Sequence, residues 1–436
     1  MTISALYSIF LEHPVVSTDT RQLPAGCIFF ALKGDSFDAN KFAAKALEHG
    51  ASYAVIDDPA YQMNDRCLLV PNVLKALQQL ANHHRRQFDI SVIAIGGSNG
   101  KTTTKELVSS VLSEHYPCHF TKGNFNNHIG VPLTLLSMPR GTEVAIIEIG
   151  TNQPGDIEEL CHIVQPTHGL LTNIGKEHLE GFGNLAGVKK AEGELFDFLG
   201  KNHGCAFVNL SEKYLPDMSK KVRMRVGYSR SETLRPDAGV IEVQLLAEMP
   251  FVQAAFLSDD GPKIEVTTQL FGYHNFQNVM TAIALGVYFK VPAEKIKSAL
   301  ENYFPRNNRS QLIKTDGATI LLDAYNANPS SMQPALQSLS AMPATRRIAI
   351  LGDMLELGLD SQKEHEDLLR FAVRLKIDQI VLVGKEFGKT PFLKFGALHF
   401  EDNQAAKAWF KTQNFQGAAI LIKGSRGIRL EKLLEE

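Results

Sequence analysis

Ile95-Gly-Gly-Ser-Asn-Gly-Lys-Thr-Thr-Thr-Lys-Glu106 lies between the apolar run Ile90-Ser-Val-Ile-Ala-Ile95 and a helical stretch that continues through Leu107 to Leu112. A buried strand, a glycine-rich turn and a helix, in that order, are the setting of a phosphate-binding loop. Glycine lets successive backbone N–H groups turn toward phosphate oxygens, and the helix presents its N-terminus to the same anion. In this reading Gly97, Ser98, Asn99 and Gly100 form the turn, Lys101 supplies positive charge, and Thr102 offers a hydroxyl for Mg2+. The usual eight-residue spacing would put its first glycine at Ile95, so the loop is the shorter form running from Gly97 to Thr102. A plain strand-to-helix turn without a ligand is the competing reading, and Gly-Lys-Thr-Thr in this setting favours a nucleoside triphosphate. A GTPase would also carry an NKxD tetrapeptide, which the chain lacks, so small-molecule ATP chemistry is expected.

Such a loop needs a carboxylate on a neighbouring strand to help hold Mg2+. Glu148 closes the apolar run Val144-Ala-Ile-Ile-Glu-Ile149 and is the candidate, against the alternative of a surface glutamate at a strand end. His178, in Asn173-Ile-Gly-Lys-Glu-His-Leu-Glu180, follows another strand in a polar loop. A lone histidine is more often structural, yet ligands of such sheets gather at strand carboxyl ends, and both readings stand.

Outward from this centre, strand and helix patterns alternate along 436 residues, enough for about three domains at roughly 150 residues each. Residues 1–88 hold the strand-like Gly26-Cys-Ile-Phe-Phe-Ala-Leu32 and Ala51-Ser-Tyr-Ala-Val-Ile56, with an amphipathic segment over 73–88 before the charged break His83-His-Arg-Arg-Gln-Phe-Asp89. In 89–308, the runs at 90–95, 144–149, 169–173 and 205–209 read as parallel strands. The stretch 238–270 changes period and reads as half-exposed antiparallel strands at 240–245 and 263–268. In 309–436, strands are expected at 319–323, 347–352, 379–383 and 418–423. The predicted fold is α/β with three domains, a central P-loop domain built on a doubly wound, mostly parallel sheet and a C-terminal Rossmann-like domain.

With 45 Lys plus Arg against 47 Asp plus Glu, the net charge of -2 carries no footprint for nucleic acid or anionic lipid. No apolar run approaches the roughly 18 residues of a membrane span, and Met1-Thr-Ile-Ser-Ala-Leu-Tyr-Ser-Ile-Phe10 lacks the basic start of a secretory signal. Five scattered cysteines without a CxxC pair point to reduced thiols. A cytoplasmic monomer with small-molecule substrates, no nucleic-acid partner and no membrane insertion is expected.

Gly97-Ser-Asn-Gly-Lys-Thr-Thr103, Glu148, Asn173-Ile-Gly-Lys-Glu-His178, Gly272-Tyr-His-Asn-Phe-Gln-Asn278 and the neighbourhood of Arg309 follow the order seen in the Mur ligases. The chain resembles this family, ATP-dependent amide-forming enzymes of bacterial peptidoglycan synthesis, over most of its length. Thr121-Lys-Gly-Asn-Phe-Asn-Asn-His-Ile-Gly-Val-Pro132, Asp323-Ala-Tyr-Asn-Ala-Asn-Pro-Ser-Ser-Met332 and Lys423-Gly-Ser-Arg426 look like the member that adds D-alanyl-D-alanine to UDP-N-acetylmuramoyl-tripeptide. Thr18-Asp-Thr-Arg-Gln-Leu-Pro-Ala-Gly26 and Ala31-Leu-Lys-Gly-Asp35 are similar to the uridine-nucleotide domain shared with the member that adds the third peptide residue. That sister enzyme carries Asp-Asn-Pro-Arg in its last domain, which Asp402-Asn-Gln-Ala405 does not match. The alternatives are the sister ligase, a folylpolyglutamate-synthetase-like ligase, and a nucleotide-binding regulatory module without ligase activity.

The resemblance implies that Gly97, Ser98, Asn99, Gly100, Lys101, Thr102 and Thr103 meet the ATP phosphates, with Asn275, Arg309 and Asp323 also contacting the nucleotide. It assigns Mg2+ to Thr102, Glu148, His178 and Glu192. It places Asn124, Asn126 and Asn127 near the reacting carboxylate, with Lys101, His178 and Glu192 acting in catalysis. Asp19, Thr20 and Arg21 fall on the uridine side, and Tyr325, Asn326, Asn328, Lys423, Ser425 and Arg426 on the substrate side of the last domain. One departure concerns the segment Lys-Ala-Lys-Gly-Glu, whose second lysine carries a carbamate in many family members. Here it reads Lys190-Ala-Glu-Gly-Glu194, so the carboxylate of Glu192 stands where the carbamate would. An exposed Glu192, with a carbamate absent or on Lys190, is the alternative. Gly352-Asp-Met-Leu-Glu-Leu-Gly358 lacks GxGxxG spacing and reads as a strand-end turn on the substrate side.

Overall fold

The apolar run before the glycine-rich turn becomes the strand Ser91–Gly96, flanked by Val144–Glu148 and His168–Leu171 inside a nine-stranded sheet. A strand covered on both faces is continuously apolar, which is why this one shows in the sequence. The computed structural model describes residues 1–34, 36–258, 261–306, 308–315 and 317–435; Asp35 of the N-terminal motif lies outside them.

The nine strands run in the order Lys263–Thr267, Gln253–Leu257, Ile241–Ala247, Met224–Arg230, Cys205–Asn209, His168–Leu171, Ser91–Gly96, Val144–Glu148, Cys118–Phe120. Pairing is parallel from Cys118–Phe120 to Ile241–Ala247 and antiparallel beyond it. The strands expected at 240–245 and 263–268 are therefore not partners of each other. Gln253–Leu257, short and covered on both faces at its centre, lies between them, and Ile241–Ala247 pairs parallel on its other edge. Register matters most at the other end of the sheet. Ile95 is opposite Glu148, and Gly96 is opposite Leu171, so the turn at 97–100, Glu148 and the loop after Leu171 emerge together at one carboxyl edge.

The helix Lys101–Ser113 buries Leu107, Val108, Val111 and Leu112 against Phe276, Val279, Met280 and Ile283 of the helix Tyr273–Tyr288. Each such side chain removed from water contributes roughly 1.5–3 kcal/mol, which anchors the start of Lys101–Ser113 as a rigid mount.

A four-stranded parallel sheet precedes this unit, in the order Val16–Ser17, Ile28–Phe30, Tyr53–Ile56, Cys67–Leu69. Its helices Ile3–Glu12 and Val73–Arg85 share one core with central residues such as Val92, Leu135 and Leu160. The buried Arg85 guanidinium donates to the carbonyls of Val164, Phe88 and Gln165, tying the two units at their junction. The last unit is a six-stranded sheet in the order Gln311–Lys314, Ala318–Asp323, Ala418–Lys423, Arg346–Gly352, Gln379–Val383, Leu398–Phe400, parallel except for its first hairpin. Among the described residues no helix is long and apolar enough to cross a membrane, and the five cysteines are free.

Candidate active site

The turn is built by backbone geometry that only glycine supplies without strain. Gly97 has φ 108, and a Cβ there would stand 2.4 Å from Thr172 Oγ1 and 2.6 Å from the Thr172 backbone nitrogen. Gly100 has φ 81 and caps the helix Lys101–Ser113, with Asn278 Oδ1 where a Cβ would go. Asn278 is itself fixed by the Thr104 hydroxyl and by donating to Asn275 Oδ1 at 3.1 Å. Gly97→Ala adds left-handed strain to a clash with backbone, so it should lower stability by about 3 kcal/mol and abolish nucleotide binding. Denaturant unfolding and calorimetric titration with ADP check both.

Three buried glutamates surround one lysine. Lys101 Nζ donates to the Gly97 carbonyl at 2.5 Å and lies 3.7 Å from Glu177 Oε2. Burial alone would lower the Lys101 pKa; Glu177, Glu192 and Glu148 outweigh it and raise it. Glu148 accepts from the Thr102 hydroxyl at 3.1 Å and from Asn126 Nδ2 at 2.8 Å. Glu192 is fully buried, and its Oε2 accepts the Gly97 N–H at 2.8 Å. Burial, reinforced by Glu177, raises the Glu192 carboxyl above the usual carboxylate range, against the pull of Lys101. The helix Leu185–Lys201 turns Glu192 inward and Lys190 to solvent.

Glu148 Oε2, Glu177 Oε1 and Glu192 Oε1 are buried without a hydrogen-bond partner. A buried carboxylate oxygen left unpaired is costly, and lone pairs gathered this way fit a cation. No set of three or more His, Cys, Asp or Glu donors poised for a metal exists among the described residues. A cation here would draw on the Thr102 hydroxyl, one or two carboxylates and its own ligand phosphates, the manner in which Mg2+ is usually held.

The cleft has a volume of about 570 Å3, and the last unit forms its far wall. Asp323, at the end of Ala318–Asp323, accepts from Lys423 Nζ at 2.6 Å, and the same amine donates to the Asn326 carbonyl. Burial would raise the Asp323 carboxyl, but Lys423 holds it below its ordinary value. The Arg309 guanidinium lies 3.6 Å from the Tyr325 ring centroid, a cation–π stack with a flat face beside the cleft. His274, brought down to about 4 by burial, is held neutral beside Asp323 and Lys423.

Of the residues singled out in the sequence, Ser98 to Thr103, Asn124, Asn126, Asn127, Glu148, His178, Asn275, Arg309, Asp323, Tyr325, Asn326 and Lys423 line this one cleft. Gly97 and Glu192 lie directly beneath it. Several have structural bonds as well. Asn127 Oδ1 accepts from the Ile129 and Gly130 amides, and Asn275 Nδ2 donates to the Phe271 carbonyl. Asn328 caps the helix Pro329–Ala341 and donates to Asn99 Oδ1 at 2.9 Å. Ser425 is buried behind the wall, where its hydroxyl accepts the Leu355 N–H, and Arg426 pairs with Glu431 on the surface. Asp19, Thr20 and Arg21 belong to the first unit, away from the cleft; Asp19 and Arg21 pair at 2.7 Å, which holds Asp19 down to about 2.

The sequence reading passed over Glu177, Asn278, His274 and Lys105. Glu177 is part of the quoted Asn173–His178 motif and could have been found there. Lys105 could not: its buried amine donates to the carbonyls of Thr121 and Gly123, holding the asparagine loop, a bond no local pattern announces.

The parallel sheet, the strand-to-helix glycine turn and the lysine among carboxylates define a P-loop nucleotide-binding enzyme of α/β fold. Two family models match the chain, the Mur ligase middle domain over residues 95–286 and the Mur ligase glutamate ligase domain over 308–426. The UDP-N-acetylmuramoyl-tripeptide--D-alanyl-D-alanine ligase of Bacillus subtilis strain 168 is 34% identical over 97% of this chain and 92% of its own. The ligase of the same name from Escherichia coli K12 is 34% identical over 96% and 92%. A crystal structure of MurF from Acinetobacter baumannii superposes with a TM-score of 0.84 at 31% identity, covering 96% of this chain and 92% of that one. MurF from Thermotoga maritima in complex with ADP gives 0.83 at 25% identity, covering 98% and 97%. The chain belongs to the Mur ligase family.

Proposed function

We propose that this chain joins D-alanyl-D-alanine to UDP-N-acetylmuramoyl-tripeptide, converting ATP to ADP and phosphate, and so makes the pentapeptide precursor of peptidoglycan in the cytoplasm. The observation that carries the proposal is the cleft itself, with a phosphate loop and the carboxylates of Glu148 and Glu177 on one wall and the Asp323–Lys423 pair with Arg309 on the other. The similarity over nearly the full chain to ligases of that name supports the choice of substrates. The work divides among residues 1–88 for the uridine nucleotide, 89–308 for ATP and 309–436 for closure and the dipeptide.

A carboxylate is a poor acylating agent, so the tripeptide carboxylate first attacks the ATP γ-phosphorus, giving an acyl phosphate and ADP. The dipeptide amine then attacks the carbonyl carbon, loses a proton and expels phosphate through a tetrahedral intermediate. Bringing two anions together is the difficulty in the first step, and fixed positive charge is the remedy. Lys101, with its buried amine held charged by Glu177, Glu192 and Glu148, supplies that charge without reorganising. The amides of 97–102 cradle the phosphates, Asp323 and Lys423 face the nucleotide from the far wall, and Asn124, Asn126 and Asn127 border the acceptor. Mg2+, held by the Thr102 hydroxyl with one or two of the donors Glu148, His178 and Glu192 at a time, would supply further charge neutralisation of the phosphates. The last unit keeps water from the acyl phosphate by its bonds across the cleft mouth, Asn328 to Asn99 and Ser330 to Lys176.

Phosphate release measured with ATP, Mg2+, UDP-N-acetylmuramoyl-tripeptide and D-alanyl-D-alanine, each omitted in turn, tests the proposal. Release that needs both organic substrates, with a pentapeptide product by mass, is expected. Release supported by a single amino acid in place of the dipeptide would move the assignment to a sister ligase.

A further inference from the structure

The loop Gly352-Asp-Met-Leu-Glu-Leu-Gly358 has no part in the chemistry above, yet one of its side chains crosses from the last sheet to the central one. Glu356 Oε2 lies against His178 Nδ1. Both residues have left-handed backbone, φ 64 at Glu356 and φ 44 at His178, a conformation disfavoured for side chains with a Cβ. Such conformations persist where the surroundings over-determine them. Here the Glu180 N–H donates to the Glu356 carbonyl at 3.3 Å, and the Gly181 and Phe182 amides donate to the carbonyl of His178. The other ring nitrogen, His178 Nε2, is 4.0 Å from Glu177 Oε2, which in turn neighbours Lys101.

We propose that Glu356 is a positioning residue: by accepting the Nδ1–H of His178 it fixes the imidazole tautomer that leaves the Nε2 lone pair facing the cleft, and it does so from the C-terminal unit. A carboxylate on one imidazole nitrogen sets which form the other nitrogen takes, the usual way in which a histidine ligand or acceptor is oriented. Because Glu356 lies in the loop after the strand Arg346–Gly352 of the last sheet and His178 in the loop after His168–Leu171 of the central one, the histidine is oriented only while the two units are docked. The docking itself has separate supports. Lys176 pairs with Glu364, its N–H donates to Ser330 Oγ at 2.7 Å, and Asn328 reaches Asn99, none of them touching the imidazole. The inference deepens the ligase reading and rests on it only for what the Nε2 lone pair serves.

Nitrogen-15 spectra of histidine-labelled full-length protein without nucleotide read the tautomer directly, with the His178 signals assigned by their loss in His178→Gln. Wild type should show Nδ1 protonated and Nε2 without a proton, and a ring protonated on both nitrogens would overturn the inference. Glu356→Ala should lose that preference, Glu356→Gln should keep it through its amide oxygen, and Glu364→Gln should leave it unchanged although it breaks a docking pair. In the phosphate-release assay Glu356→Ala should lower kcat between about 10- and 100-fold with KM for ATP nearly unchanged, and Glu356→Gln should recover most of the loss. An unchanged imidazole in Glu356→Ala, or the same loss of tautomer in Glu364→Gln, would overturn the inference. If wild type shows the Nδ1 proton but its phosphate release ignores the dipeptide, the ligase reading fails while the orienting role of Glu356 stands.

Discussion

Lys101→Ala should reduce phosphate release by roughly 10²- to 10³-fold, the scale of removing one preorganised charge from a transition state. The variant leaves Glu148, Glu177 and Glu192 buried with no lysine among them, and breaking a buried charge cluster costs about 3–5 kcal/mol. The sign of its pH dependence follows. Without the Lys101 cation nothing so close opposes the burial that raises the Glu192 carboxyl, so its folded-state pKa climbs further above the unfolded value and the folded form binds that proton more tightly. The lost stability should therefore return in part as pH falls and worsen as pH rises through that window. Denaturant unfolding at mildly acid and mildly alkaline pH, beside the phosphate assay, checks both. A variant equally stable at the two pH values would show that folding takes up no proton once the lysine is gone, and would remove the predicted pH dependence.

The second large effect is expected at Glu192, where two substitutions separate two roles. Glu192→Ala deprives the buried Gly97 N–H of its acceptor, which costs about 1–3 kcal/mol before any cavity is counted. It should also lower activity and shift the Mg2+ dependence, since it removes one of the unpartnered carboxylate oxygens. Glu192→Gln keeps an acceptor for Gly97 and loses only charge, so it should fold normally and be impaired in turnover. In the wild type the Glu192 carboxyl is raised by burial, so the folded state holds its proton more tightly than the unfolded state. That contribution to stability is present at low pH and fades as pH rises from the ordinary carboxylate range toward the raised value. Glu192→Gln should lack this slope. An active Glu192→Ala with unaltered Mg2+ dependence would remove Glu192 from the cation site.

Legibility followed covering and length. Cys205–Asn209 and Gln379–Val383, apolar and buried on both faces, are read from sequence to the residue. Gln253–Leu257 was invisible because Gln-Ala-Ala-Phe-Leu is short and weakly patterned, and its place between two better-marked strands is a matter of long-range pairing. At the site, Lys101, Thr102 and Glu148 could be named because a phosphate loop and a strand end are local objects. Glu177 and His178 are adjacent in the chain yet differ in surroundings, one beside Lys101 and the other beside Glu356, and no spacing distinguishes them.

By itself the sequence determined what is local: the parallel α/β plan, the short phosphate loop with its obligatory glycines, and the ordered motifs that mark the family. Backbone preference, apolar periodicity and the chemistry of glycine and lysine act within a few residues and are written in the chain. The tertiary structure alone decided that Glu192 rather than Lys190 faces Gly97, that three glutamates share one lysine, and that Glu356 reaches His178 from another sheet. Those facts depend on helix phase and on the docking of units far apart in sequence, where an error of one residue in rotation or register turns a buried carboxylate out to water.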